Sequence, residues 1–143
     1  MNPETPGTPA GTSAEDMYRD HILEHYRKPR NFGLLKDAHI DHREDNPLCG
    51  DDIRVTMKVG EDGKVADVKF QGRGCAISQA SASLLTTRVK GMDVEAVKAL
   101  TRDDVVAMLG IPISPVRLKC AILSLVVIRN GIELYQKNLQ PSS

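Results

Sequence analysis

The stretch Ile53-Arg54-Val55-Thr56-Met57-Lys58-Val59-Gly60-Glu61-Asp62-Gly63-Lys64-Val65-Ala66-Asp67-Val68-Lys69-Phe70 decides the fold. Ile53, Val55, Met57 and Val59 alternate with Arg54, Thr56 and Lys58, so one face of a half-buried strand is apolar and the other polar. Residues 60–64 carry the turn, and residues 65–70 return as the second strand of an antiparallel hairpin. Upstream, residues 31–47 read as loop, with a short strand near 38–42. Before them, Ser13 suits a helix N-cap, with Asp16 as a weak capping-box partner. That helix should run to about Arg27 and stop before Pro29, with Tyr18, Ile22, His25 and Tyr26 on one face.

Downstream of the hairpin the pattern turns helical. Residues 78–90 are rich in Ala and Ser, with Leu84, Leu85 and Val89, and Gly91 is a plausible C-cap. The small side chains predict close packing of this helix on the sheet. Residues 93–100 and 101–109 read as two short helices, each opening on a capping residue, and Gly110 ends the second. A linker at 111–114 leads to Pro115, which suits the first turn of a final helix reaching about Lys137. Strands followed by helices, without βαβ alternation and without internal repeats, give an α+β domain. Its expected form is a small antiparallel sheet of about three strands packed against several helices. Residues 1–13, with prolines at 3, 6 and 9, have almost nothing to bury and are expected to be a disordered lead to one domain over 14–140.

Composition narrows the function. A chain of 143 residues can bury a core without help from a metal, so a metal here would serve function rather than rescue the fold. The 19 basic and 19 acidic residues cancel, which argues against nucleic acid as a partner. Aromatics are 3% and tryptophan is absent, so base-stacking platforms are not expected either. No apolar run approaches the roughly 20 residues of a membrane span. The start of the chain lacks the basic and apolar regions of a signal peptide. The expectation is a soluble protein of a reducing cytoplasm, where thiols stay unpaired.

The chain has three cysteines, an odd number that cannot all pair as disulfides within one chain. Each sits in a distinctive setting: Asn46-Pro47-Leu48-Cys49-Gly50-Asp51, Gly72-Arg73-Gly74-Cys75-Ala76-Ile77-Ser78, and Arg117-Leu118-Lys119-Cys120-Ala121. Cys49 precedes the first hairpin strand and Cys75 sits just past the end of the second, in a Gly72-Arg73-Gly74 turn, so an antiparallel pairing brings them to one edge of the sheet. Cys120 lies in the first two turns of the last helix, where dipole and unpaired amides stabilise a thiolate. With Asp51 two residues from Cys49, the candidate site is three sulfurs and one carboxylate. Zinc, iron and iron–sulfur clusters all accept such surroundings. Gly50, Gly72 and Gly74 allow close backbone approach. Arg73, Arg117 and Lys119 sit beside the cysteines and could offset the negative charge left after a divalent ion binds.

Plainer readings compete. Three unrelated buried thiols would be ordinary core residues. A Cys–His nucleophile would need one of His21, His25, His39 or His42 to fold back. His21 and His25 are spaced i, i+4, but His-Ile-Leu-Glu-His lacks the glutamate position of a zinc protease, and packing histidines fit it better.

Several stretches together resemble the U-type iron–sulfur assembly proteins, the NifU N-terminal/IscU/SufU family, over about residues 18–134. They are Tyr26-Arg27-Lys28-Pro29-Arg30-Asn31, Asn46-Pro47-Leu48-Cys49-Gly50-Asp51, Gly74-Cys75-Ala76-Ile77-Ser78-Gln79-Ala80-Ser81-Ala82-Ser83, Val89-Lys90-Gly91 and Pro115-Val116-Arg117-Leu118-Lys119-Cys120-Ala121. The resemblance implies a SufE/NifU-like fold. It implies zinc or a [2Fe–2S] cluster held by Cys49, Asp51, Cys75 and Cys120, with Cys49 as the persulfide acceptor. Asp51, the one hard ligand, would keep such a cluster labile. The implied partners are a cysteine desulfurase of the SufS/IscS kind, then apo iron–sulfur acceptor proteins or the Suf scaffold complex. Lys119 stands where IscU scaffolds carry His; with Cys-Ala-Ile-Ser-X-Ala-Ser-Ala-Ser it is similar to SufU. The spacing from Cys75 to Cys120 is IscU-like and lacks the SufU insertion. The chaperone-binding Leu-Pro-Pro-Val-Lys of IscU is matched only in part, by Ile113-Ser114-Pro115-Val116-Arg117. The alternative is a metal-stabilised binding module with no part in sulfur transfer.

Overall fold

The computed structural model describes residues 14–47 and 50–139. The expected lead at 1–13, the Ser13 cap with its Asp16 partner, the side chain of Tyr18, and Cys49 lie outside the described residues. The chain forms α1 (Ala14–Arg27), β1 (Ile40–Asn46), β2 (Asp51–Val59), β3 (Val65–Arg73), α2 (Ala76–Val89), α3 (Val94–Lys98), α4 (Arg102–Leu109) and α5 (Pro115–Leu139). The three strands make one antiparallel sheet in the order β1-β2-β3. This is the expected α+β architecture of a small sheet against several helices.

Period-two patterning places the core. Ile53, Val55 and Met57 on β2 and Val68 and Phe70 on β3 point to one face, where α2 and α5 cover them with Leu85, Val89, Leu125, Ile128 and Ile132. Helix α5 also packs on β1, and α1 packs on α2. At Gly131 a Cβ would come within 2.9 Å of Ile40 Cγ2, so the glycine sets how closely α5 lies on β1. The short helices start as expected. Asp93 accepts from the Glu95 amide, and Thr101 and Asp104 form a reciprocal capping box.

Four placements differ from expectation, each for a physical reason. β1 runs to Asn46 rather than ending at 42. Only Ile40 on its inward face is apolar, so alternation gave no signal. The strand is held instead by its pairing with β2 and by a polar seam to α5, where His42 Nε2 and Asn130 Nδ2 each lie 2.7 Å from Glu44 Oε2. Thr56, expected on the solvent face, is 1% exposed. The segment after α1 crosses that face, and the Leu35 amide donates to Thr56 Oγ1 at 2.9 Å. The same segment covers the outer edge of β3: the Phe70 amide donates to Asn31 O and the Gly33 amide to Phe70 O, both at 2.8 Å.

β3 continues to Arg73 and α2 starts at Ala76, so residues 72–74 are not a free turn; Gly74 and Cys75 alone join strand to helix. Finally, Ile22 and His25 are buried as expected but Tyr26 is 44% exposed. It lies about 100° further round α1 than His25, which faces α2 through Ser83.

Candidate metal centre

Three elements converge at the end of the sheet away from the hairpin turn. Asp51 opens β2 and is 1% exposed; Cys75 occupies the N-cap position of α2 and is half-buried; Cys120 lies in the second turn of α5 and is 3% exposed. One carboxylate oxygen and the two Sγ atoms all lie within 4.8 Å of one another. Asp51 Oδ1 accepts the Cys75 amide at 3.0 Å, and Oδ2 is 4.0 Å from Cys75 Sγ.

The local sequence explains why these groups meet. Gly74 adopts φ +149°, a conformation that side chains other than glycine rarely take. A Cβ there would lie 2.6 Å from Asp51 Cγ and 2.7 Å from Ser78 Oγ. The missing side chain is the space that the carboxylate fills. Behind the sulfurs, Ser81 Oγ donates to Ala121 O at 2.5 Å and lies 3.4 Å from Ser124 Oγ. That contact clips α2 to α5 beside Cys120 and fixes how far apart the two sulfur-bearing helices stand. Ser78 Oγ donates to Cys75 O at 3.1 Å, within the first turn of α2. These serines were expected only as small packing residues. Their burial in an amphipathically featureless helix is the signal that they carry hydrogen bonds, since buried hydroxyls are paired.

Of the other residues singled out by the sequence, Arg73, Arg117 and Lys119 are exposed. Arg73 lines a cavity of about 290 Å³ on the outer face of the sheet, with Phe32, Arg43, Asp52 and Arg54, and is not gathered with the three donors. The histidines find partners elsewhere. His25 Nδ1 is 2.7 Å from Ser83 Oγ, and its ring meets that of His21 edge-on at 4.6 Å. Burial, with Arg30 and His21 adding to it, holds the His25 pKa below its ordinary value. His39 Nδ1 accepts the Val59 amide and His42 pairs with Glu44. The i, i+4 pair of α1 is therefore a packing feature.

Two thiols and a carboxylate at this separation suit a thiophilic ion such as zinc or iron, which in a tetrahedral site takes a fourth donor. Cys49 precedes Asp51 by two residues in the sequence and lies outside the described residues.

The zinc-dependent sulfurtransferase SufU of Bacillus subtilis is 38% identical over 135 aligned positions, covering 82% of this chain and 90% of that protein. Those 135 positions exceed what 82% of 143 residues can fill, so that relative carries residues this chain lacks. The iron–sulfur cluster assembly scaffold protein IscU of Escherichia coli K12 is 32% identical over 127 positions, covering 83% of this chain and 94% of that one. A crystal structure of a nitrogen-fixing NifU-like protein (N-terminal) from Brucella abortus superposes with a TM-score of 0.70 at 23% identity, over 87% of this chain and 99% of its own, and so shares the fold. With a match to the NifU-like N terminal domain over residues 17–141, this chain belongs to that family.

Proposed function

We propose that this chain is an iron–sulfur cluster assembly protein that accepts sulfur from a cysteine desulfurase at a site of three cysteines and one aspartate. The observation that carries this is the approach of Asp51, Cys75 and Cys120 within 4.8 Å from three separate elements. Residues 14–140 act as one domain in a reducing cytoplasm, and Cys49 completes the donor set. In the resting protein zinc would be held by Cys49, Asp51, Cys75 and Cys120; when bound it supplies a positive centre that keeps thiols deprotonated and masks their reactivity.

Cys49 is the acceptor. Its thiolate attacks the outer sulfur of a persulfide on the desulfurase; a new S–S bond forms on Cys49, the old one breaks, and the desulfurase cysteine leaves as a thiolate. No electrons are gained or lost overall. Arg117 and Lys119 are exposed and lie within three residues of Cys120 in the sequence, and their positive charge favours approach of an anionic sulfur group. The sulfur then passes to the Suf scaffold complex, or a [2Fe–2S] cluster built on the same four residues passes to apo acceptor proteins. Lys119 before Cys120, together with the B. subtilis relative, favours the zinc form.

The test is to incubate the purified protein with a cysteine desulfurase, cysteine and a reductant. Mass spectrometry should find one added sulfur on Cys49, and desulfurase turnover should rise. Cys49→Ser should lose both. If the metal-loaded protein gains no sulfur and leaves turnover unchanged, it is a metal-stabilised binding module. Elemental analysis divides the two forms of the proposal: zinc at one equivalent means sulfur carrier, iron with sulfide means scaffold.

A further inference from the structure

Helix α2 begins without a cap of its own. Its N-cap residue is Cys75, whose side chain makes no capping bond, and its first turn holds no acidic residue. The first amides of a helix have no partner within it, and the dipole favours negative charge there. Here another element answers one of these amides and supplies the negative charge. The Asp51 carboxylate, at the start of β2, accepts the Cys75 amide through Oδ1 at 3.0 Å and is almost wholly buried. Gly74 makes room for it, because a side chain at that position would run into Asp51 Cγ and Ser78 Oγ. Ser78 Oγ closes the same turn by donating to Cys75 O.

We propose that Asp51 is a positioning residue for Cys75. Oδ1 fixes the Cys75 amide and with it the direction of the Cα–Cβ bond, while Oδ2, 4.0 Å from Sγ, remains as the oxygen facing the sulfur. The two oxygens have separate tasks, one toward the backbone and one toward whatever the site holds. The proposal rests on the sulfur-acceptor reading only for the second task; the hydrogen bond from the Cys75 amide to Oδ1 is made within the chain itself.

Substitution separates the tasks. Asp51→Ala removes both oxygens. Asp51→Asn keeps a carbonyl oxygen for the amide but removes the anionic donor. The experiment uses the full chain after metal removal by chelation, with amide hydrogen exchange followed by NMR. In Asp51→Ala the Cys75 amide should exchange about tenfold faster or more, while amides in the middle of α2, such as Leu85 and Thr86, keep their protection. In Asp51→Asn the Cys75 amide should stay within about threefold of the parent, although zinc affinity falls. Unchanged exchange at Cys75 in Asp51→Ala would overturn the proposal. So would lost protection in an Asp51→Asn protein whose mid-helix amides show it folded, a result that decides the matter even if Asp51→Ala does not fold. A chain that accepts no sulfur could still pass, so the two proposals fail separately.

Discussion

At one end of the β2–β3 hairpin the chain turns through residues 60–64; at the other, the strands part toward Asp51 and Cys75. The turn is closed mainly by backbone groups answering backbone groups: Gly60 N to Lys64 O at 2.9 Å, Val65 N to Met92 O and Gly91 N to Val65 O at 2.8 Å, and Val94 N to Gly63 O at 3.0 Å. The carboxylate that takes part there, Asp62, accepts the Lys64 amide at 3.1 Å from an exposed position where water still solvates it. At the other end the Cys75 amide is answered by a buried carboxylate. A carboxylate removed from water costs several kcal/mol, more than one amide bond returns. A carbonyl would have closed that end at less cost. The difference teaches that the second end is built for something besides stability, and the convergence of two sulfurs there says what.

The contrast can be broken at its glycines. Gly74→Ala should destabilise the protein by about 3 kcal/mol or more, since it combines an unfavourable φ with overlap of Asp51 and Ser78. Gly91→Ala, at the turn end, has φ +89° and nothing within 4 Å of the new Cβ. It should cost only about 1–2 kcal/mol. Denaturant unfolding measures both, and equal losses would remove the distinction between the two ends. A middle effect sharpens it. Ser81→Ala removes a buried hydroxyl that joins α2 to α5, for about 1–3 kcal/mol, and should weaken zinc binding although Ser81 is not a ligand. Zinc affinity unchanged in a destabilised Ser81→Ala would show that the clip serves the fold alone.

The smallest effect concerns the far flank of α2. Burial holds the His25 pKa below its ordinary value in the fold, so folding is opposed by protonation. Its contribution is complete above the ordinary value of 6.5 and is lost as pH falls from there toward the depressed folded value. The unfolding midpoint should decline over that window, and His25→Gln should flatten the decline. A slope that survives in His25→Gln would move the titration to another group.

Much of this was legible in the chain. The alternation from Ile53 to Val59 and the glycine turn gave the hairpin, and the place of Cys75 just past its second strand followed from it. Where the sequence fell short, a tertiary partner supplied what periodicity lacks. β1 carries charge on both faces and is a strand because β2 and α5 flank it. Thr56 is buried by a loop that comes from residues more than twenty positions upstream. Residues 72–74 read as a turn because they hold two glycines, yet Gly72 sits in β3 opposite Ile53. At the site, the donor types were readable from the motifs. The hold of Asp51 on the Cys75 amide was not, because it depends on a register that no local pattern encodes.

The serines of α2 have a consequence for how such chains are recognised. Ser78 ties the first turn to itself, Ser81 reaches α5, and Ser83 receives the Arg30 amide and meets His25 of α1. None of the three supplies a donor to the centre. A descendant could lose every sulfur and still need this wiring to assemble, so it would keep the fingerprint by which its kin are found. The serine run vouches for the frame, and only the thiols vouch for the chemistry.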